Sequence, residues 1–350
     1  MGRLGRHAIL GGLLVLSACS KGDPEHRRDW AVMGTEASCR IFTEDADRAD
    51  RAFEAVETVF DSVNATMNTW DANSEISQLN RTPADSAFTL SPWMVDCLHQ
   101  AIRLQMKSAG AFDPTAEPLM RLWGFYRREG RLPSPMEIDA ARKSMGQFYL
   151  DDAWGRVTKK APATAFDLGG IAKGFAVKQC ERDLREIGIA DALVDLGGNM
   201  ACMGAPPSKR AWTVGIRDPL DRDRLFATLE LCDESVATSG SYERFVEIEG
   251  RRYGHIMNPA TGRPAEGLLS ATAVSHDAAL ADGLSTALFV LGFDGAKELL
   301  ATAFPNVNAV LVIPAETGGK PKVWITSGLD GRFELLEEYS NTYDLLAEGR

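Results

Sequence analysis

The stretch Asp167-Leu168-Gly169-Gly170-Ile171-Ala172-Lys173-Gly174 constrains this chain more than any other. An apolar lead-in, Ala163 to Phe166, precedes it and is short enough for a strand. Ile171, Phe175, Leu184 and Ile187 follow at spacings near a 3.6-residue period, so a helix begins at the glycines. Two adjacent glycines at such a corner admit a ligand close to the backbone and leave the first helical amides free. A helix start of this kind suits phosphate, and Lys173 adds a positive charge one turn in. Asp167 offers a carboxylate to a ribose or a base. The spacing is not Walker A, because Gly174 follows Lys173. It is not the dinucleotide fingerprint either, because the first two glycines are adjacent. A purely structural turn is the competing reading of this stretch alone. Asp195-Leu196-Gly197-Gly198 repeats the same word, and a strand-helix-strand unit would bring both glycine corners to one edge.

A chain of 350 residues allows one large domain or two of ordinary size. With 45% hydrophobic and 25% charged residues, a packed globular body is expected. The net charge of -11 argues against a nucleic-acid partner, which calls for a basic surface. At the N-terminus, Arg3 and Arg6 precede the apolar run Ala8 to Leu16, which is too short to span a bilayer. Leu16-Ser17-Ala18-Cys19 resembles a bacterial lipobox, in which Cys19 becomes the lipidated first residue. An ordinary secretory signal is the alternative. The expected organisation is a signal peptide over 1–18, a tether over 19–29, one domain over 30–340 and a loose tail over 341–350. A lipid anchor on Cys19 would hold the domain to a membrane on the bacterial periplasmic side. Cys39, Cys97, Cys180, Cys202 and Cys232 form no C-x-x-C, so buried free thiols are expected and a zinc site is not.

Ala52, Val56, Val59, Phe60 and Val63 make one stripe of a helix over Asp47 to Asn68. Trp30 to Phe42 reads as a strand, and Ser91-Pro92 starts another helix. Many later strands come as hairpin-like runs. The fold class is therefore α+β, with antiparallel sheets flanked by helices.

The segment Ala278 to Leu291 is apolar nearly all round, so it should be a buried helix, yet it carries Asp282 and Thr286. Their i, i+4 spacing puts both oxygens on one face. A lone buried carboxylate is costly unless it is paired or bound to a metal. One carboxylate, one hydroxyl and a phosphate suit Mg²⁺. Alternatively, Asp282 pairs with a buried Arg or Lys and Thr286 bonds back to its own helix. Among the histidines, His255 ends a strand before the constrained Asn258-Pro259 turn and is the best candidate base near neutral pH. No Gly-x-Ser-x-Gly elbow is present.

Eight pieces occur in a family order: Met33-Gly34-Thr35, Thr69-Trp70, Gly110 to Pro114, Asp167 to Gly174, Val194 to Asn199, Thr238-Ser239-Gly240, His255 to Pro259, and Ala281-Asp282 to Ala287-Leu288. In these the chain resembles the FAD:protein FMN transferases, the ApbE family, from Trp30 to Thr326. The resemblance implies a fold like a duplicated T-fold. It implies an enzyme that takes FAD as substrate, attaches FMN to a threonine or serine of an acceptor protein and releases AMP. Acceptors would be subunits of membrane redox complexes. Carried over by residue, Met33, Trp70, Ala111, Phe112, Asp113, Asp167, Lys173 and Ile256 fall on FAD contacts. Asp282, Thr286 and the Gly170 carbonyl fall on the Mg²⁺ ligands, and His255 falls on the base. Asn68 stands where many members have serine, and Gly283 and Ser285 where alanine is common; Gly283 is expected to loosen its helix by up to about 1 kcal/mol. An Mg²⁺-dependent FAD pyrophosphatase and a non-catalytic FAD-binding lipoprotein are the alternative functions.

Overall fold

The computed structural model describes residues 24–127, 129–242 and 244–346. The signal segment and Cys19 lie outside the described residues. The chain opens with the hairpin β1 (Glu25–Val32) and β2 (Thr35–Phe42), then α1 (Ala46–Met67) and α2 (Glu75–Arg81). Next come β3 (Ala87–Thr89), α3 (Pro92–Lys107), α4 (Glu117–Leu122), α5 (Pro135–Ser144), β4 (Phe148–Asp151) and β5 (Arg156–Lys159). The helix α6 (Ala172–Ile187) leads to β6 (Ala192–Leu196), β7 (Asn199–Met203), β8 (Trp212–Arg217), β9 (Leu225–Leu231) and β10 (Glu234–Gly240). Short pieces β11 (Phe245–Ile248), β12 (Arg251–Gly254), β13 (Met257–Asn258) and β14 (Arg263–Pro264) precede β15 (Ser270–Ser275) and α7 (Ala278–Ala303). The chain closes with β16 (Asn308–Ile313), β17 (Lys322–Ile325), β18 (Phe333–Leu335) and β19 (Asp344–Leu346).

The expected α+β class is what the structure has. A nine-stranded sheet runs in the order β1-β2-β6-β7-β10-β15-β16-β17-β19. Its neighbours pair antiparallel, except β17 with β19. Alternation along a strand sends side chains to opposite faces. On β16, Ala309 and Leu311 join the core formed with α1, α6 and α7. Val310 and Val312 instead join a second core under the small sheet β18-β9-β8. The middle strands are thus covered on both faces, which explains why all six residues of β15 are buried.

Helix α1 forms as its stripe predicts: Ala52, Phe53, Val56, Val59, Phe60 and Val63 are buried, and Asp45 caps the start by accepting from the Arg48 amide. Asp277 caps α7 through bonds of 3.0 and 3.1 Å from the Ala279 and Leu280 amides. The α7 backbone breaks at Gly292, where φ is 69°, so the boundary read there from sequence is a kink. Gly283 does not simply loosen this helix. A Cβ there would lie 2.4 Å from Leu104 Cδ2, so the missing side chain lets α3 pack against α7.

Four expectations change. Ala163 to Phe166 is not a strand: Asn80 bonds both the amide and the carbonyl of Phe166, at 2.7 and 2.8 Å, and the Asp167 amide donates to Pro114 O at 2.9 Å. These partners satisfy the backbone in place of a ladder. Trp30 to Phe42 is a hairpin rather than one strand, because Met33 and Gly34 both take positive φ, 53° and 71°. The tether over 19–29 ends earlier, since Glu25 to Asp29 pair with Phe42 to Ser38. The tail over 341–350 is in part ordered, since β19 pairs with β17.

Helices α6 and α7 approach each other closely at Gly174. A Cβ there would lie 2.2 Å from Ala278 O and 2.5 Å from Asp282 Cβ. Gly174→Ala should therefore cost about 1–3 kcal/mol in urea unfolding despite the better helix former. Gly283→Ala meets only a movable leucine end and should cost less. Equal stability of Gly174→Ala and the parent would mean that the helices are not in contact there.

Candidate active site

Asp282 is 4% exposed, on the face of α7 that meets α6. Its Oδ2 accepts from the Gly174 amide at 2.8 Å. Lys173 Nζ stands 3.9 Å from Oδ1. Burial raises the Asp282 pKa; Lys173 and the amides of Gly174 and Lys173 act the other way. The start of α6, expected to leave its amides for phosphate, thus gives one of them to the protein's own carboxylate. The pairing of Asp282 with a lysine is also present, as a wide one. Thr286 does not bond back to its helix as the alternative had it; Ser285 does, donating to Asp282 O at 2.8 Å. Ser239, at the end of β10, links the two hydroxyls, 2.9 Å from Ser285 and 3.2 Å from Thr286.

Gly170 lies against this face. A Cβ on it would be 3.2 Å from the Phe112 ring and 3.3 Å from Thr286 Oγ1. Among the described residues no three His, Cys, Asp or Glu side chains converge on a metal position. The donors present are one carboxylate, one hydroxyl and a glycine backbone. Such hard oxygens fit Mg²⁺, which takes few protein ligands and completes its shell with water and phosphate oxygens.

A second group surrounds Asp167. Its Oδ2 accepts from Tyr126 OH at 2.5 Å, and its Oδ1 accepts from the Gly169 amide at 2.7 Å. The carboxylate and the Gly169 amide, both expected to be free for a ligand, therefore hold each other. Trp70, 48% exposed, meets Tyr126 edge-on at 5.2 Å, and the Arg244 guanidinium lies 5.9 Å from the Trp70 ring. Asn68 shapes the approach by accepting from the Trp70 amide at 2.9 Å.

Arg244 also leads to His255. Its carbonyl accepts from the His255 amide at 3.1 Å and lies 3.2 Å from Nδ1. A carbonyl only accepts, so Nδ1 carries the hydrogen and Nε2 keeps a free lone pair. His255 is half-buried. Desolvation, then the Arg244 charge, outweigh the carbonyl bond; with Lys173 adding, the pKa falls to about 4. Ile256 is buried, and its carbonyl accepts from Ala265 at 2.8 Å.

The remaining candidates sit around these groups. Ala111 and Phe112 are buried. Asp113 accepts from the Thr115 amide and hydroxyl at 2.7 and 2.5 Å, and burial raises its pKa. Met33 is in the β1–β2 turn, and neighbouring Thr35 packs on Gly197, whose Cβ would meet Thr35 Oγ1 at 2.7 Å. The structure therefore joins Lys173, Asp282, Thr286, Gly170 and Phe112 in one contact group. Trp70, Asp167 and His255 are linked to one another through Tyr126 and Arg244, and Lys173 couples electrically to His255. Sequence reasoning gave no role to Tyr126, Arg244 or Ser285. Only the proximity of Tyr126 to the tryptophan-bearing turn, visible in three dimensions, reveals it.

A proton NMR titration of the substrate-free protein should give His255 a midpoint near about 4, against 6.5 for an ordinary imidazole. The unfolded chain takes this proton first. The group's contribution to stability is therefore complete above about pH 6.5 and is lost as pH falls toward 4. A midpoint above 6 would contradict the surroundings described.

The sequence model described as the ApbE family matches residues 33–311. The FAD:protein FMN transferase of Salmonella typhimurium is 33% identical over 277 residues, which is 77% of this chain and 79% of that protein. Its counterpart from Vibrio cholerae is 30% identical, over 87% of this chain and 92% of its own length. The flavinyl transferase ApbE of Pseudomonas stutzeri, solved in its apo form, superposes with a TM-score of 0.79 at 29% identity, covering 89% of this chain and 97% of that one. The flavin transferase ApbE of Vibrio cholerae gives a TM-score of 0.77 at 27% identity, covering 88% of this chain. On these matches, spread over the glycine corner, the Asp282 helix and the sheet between them, the chain belongs to the ApbE family.

Proposed function

We propose that this protein is a transferase that moves FMN from FAD to a threonine or serine hydroxyl of an acceptor protein, with Mg²⁺ and release of AMP. The position of Lys173 carries the reading: its ammonium faces Asp282 at 3.9 Å, and its charge also acts on His255. One cation thus faces the oxygen-rich side of α7 and also acts on a neutral base, which suits the cutting of a pyrophosphate. The names of the relatives, FAD:protein FMN transferase, support the same substrate and product.

Phosphoryl transfer needs positioning and charge neutralisation more than covalent help. Asp282, Thr286 and the Gly170 carbonyl would hold Mg²⁺, which supplies charge neutralisation at the pyrophosphate oxygens. Lys173 offers a second positive charge. His255 Nε2 takes the proton of the acceptor hydroxyl as its oxygen bonds to the FMN phosphorus. The anhydride bond to the AMP phosphate breaks, and AMP leaves with the electron pair. Trp70, held by Arg244 and Tyr126, offers a half-exposed ring for stacking. Met33, Ala111, Phe112, Asp113, Asp167 and Ile256 would complete the FAD site. Tyr126 and Asn80 would act on it indirectly, through Asp167 and Phe166.

The acceptors proposed are subunits of membrane redox complexes. A lipid on Cys19 would keep the enzyme beside them at the periplasmic face and raise the local concentration. Cys19→Ser should release the exported protein into the soluble fraction; continued membrane association would count against the lipid.

The activity test is incubation with FAD, Mg²⁺ and a candidate acceptor. Mass spectrometry should find the acceptor heavier by FMN, with AMP released. Free FMN with an unmodified acceptor would favour hydrolysis, and intact FAD would favour binding alone. Asp282→Ala should abolish Mg²⁺-dependent turnover. His255→Ala should slow transfer about 10²–10⁴-fold while FAD still binds. Equal loss of binding would make His255 structural.

A further inference from the structure

Asn199 has no part in the chemistry above, yet it touches both charged groups. It opens β7 directly after the Gly197-Gly198 turn and is 5% exposed. One orientation of its carboxamide suits its surroundings. The nitrogen then donates to Asp282 Oδ1 at 2.9 Å, and the oxygen accepts from Lys173 Nζ at 3.2 Å. The reverse orientation sets acceptor against acceptor and donor against donor at the two charges, and keeps only a long 3.4 Å bond from the nitrogen to Leu196 O. An amide carries a donor and an acceptor on one uncharged fork, so it can serve an anion and a cation together. Meanwhile the direct distance from Lys173 to Asp282 is 3.9 Å, too long for a hydrogen bond.

We propose that Asn199 is a positioning residue, a neutral spacer that keeps Lys173 and Asp282 from closing into a contact ion pair. Opposite charges this near, with the carboxylate buried and the lysine only partly exposed, attract each other. A closed pair would commit the carboxylate that a divalent cation needs. It would also turn the ammonium away from the substrate's phosphates. The amide satisfies both groups and neutralises neither. Its own place is rigid. Gly197 and Gly198 take the positive φ values, 61° and 86°, of a tight hairpin turn. The Gly198 amide donates to Asp195 Oδ1 at 2.8 Å, and the Gly197 amide to Glu36 O at 3.0 Å. The spacer is therefore anchored to the sheet, while the two charges it separates belong to helices.

The proposal rests on the Mg²⁺-dependent reading of the site, and its test separates the two. In a crystal structure of Asn199→Ala, Lys173 Nζ should close on Asp282 Oδ1 to about 2.8 Å. The Mg²⁺ concentration for half-maximal flavin transfer should rise about tenfold or more, the usual scale for losing a residue that orients a metal ligand. The double variant Asn199→Ala/Lys173→Met should need no more than about threefold the Mg²⁺ of Lys173→Met alone, because no ammonium then competes; strict additivity would give the full tenfold. An unchanged 3.9 Å separation in Asn199→Ala, or the full tenfold penalty in the double variant, would overturn the spacer role. If the unaltered protein shows no Mg²⁺-dependent turnover, the functional reading fails, and the crystallographic distance still decides the spacer.

Discussion

The hydrogen bond from the Gly174 amide to the Asp282 carboxylate ties together the two helices that make the site. An interior carboxylate costs several kcal/mol unless its lone pairs are met. Here the first turn of α6 meets them, at the positive end of its dipole. The bond requires that the helices nearly touch, and they can do so because Gly174 has no side chain. That contact brings Lys173 to Asp282 and Gly170 to Thr286. A second tie, Lys178 to Asp277 at 2.7 Å, joins the same helices at the cap of α7. Between these ties the oxygen-bearing face of α7 is fixed relative to the glycine corner.

The group around Asp167 and Trp70 is built differently. It relies on aromatic edges and a cation over a ring rather than on helix contact. Trp70 keeps nearly half its surface open, but Tyr126, Arg244 and the cap at Asn68 restrict how it can turn. Deeper in, Lys159 donates to Asn80 O at 2.7 Å, and Asn80 holds the Phe166 backbone. The segment that presents Asp167 is therefore braced by side chains where a strand would have used a ladder.

The parts of the fold that could be read in the sequence are those whose burial is one-sided and periodic. The stripe of α1 and the apolar α7 with its two polar residues are of that kind. The first strand is not. Glu25 to Val32 lies at a sheet edge, alternating exposed and half-buried, and its charges are what an edge strand carries. By composition it looks like linker. Strand β10 escaped for the opposite reason: Glu234 to Gly240 has small residues where α7 lies close above it. At the candidate site, the shared face of Asp282 and Thr286 and the place of Lys173 in the first turn of α6 are legible from spacing. The roles of Tyr126, Arg244 and the spacer Asn199 are not, because each depends on contacts between distant parts of the chain. That the Gly174 amide is taken by the protein itself is hidden in the sequence for the same reason. Asp282 comes from 108 residues later in the chain than the amide it takes.

Segment Ala278–Ala303 is long and apolar enough, with a mean hydropathy of 1.2, to cross a membrane, though here it is a core helix. Until sheet and helices close around it, the nascent chain displays a surface that lipid or another chain could cover equally well. Asp282, near its first turn, makes such misplacement costly, because an ionised side chain in hydrocarbon is penalised heavily. The buried carboxylate that faces α6 in the finished molecule is thus also what makes this helix a poor fit to lipid.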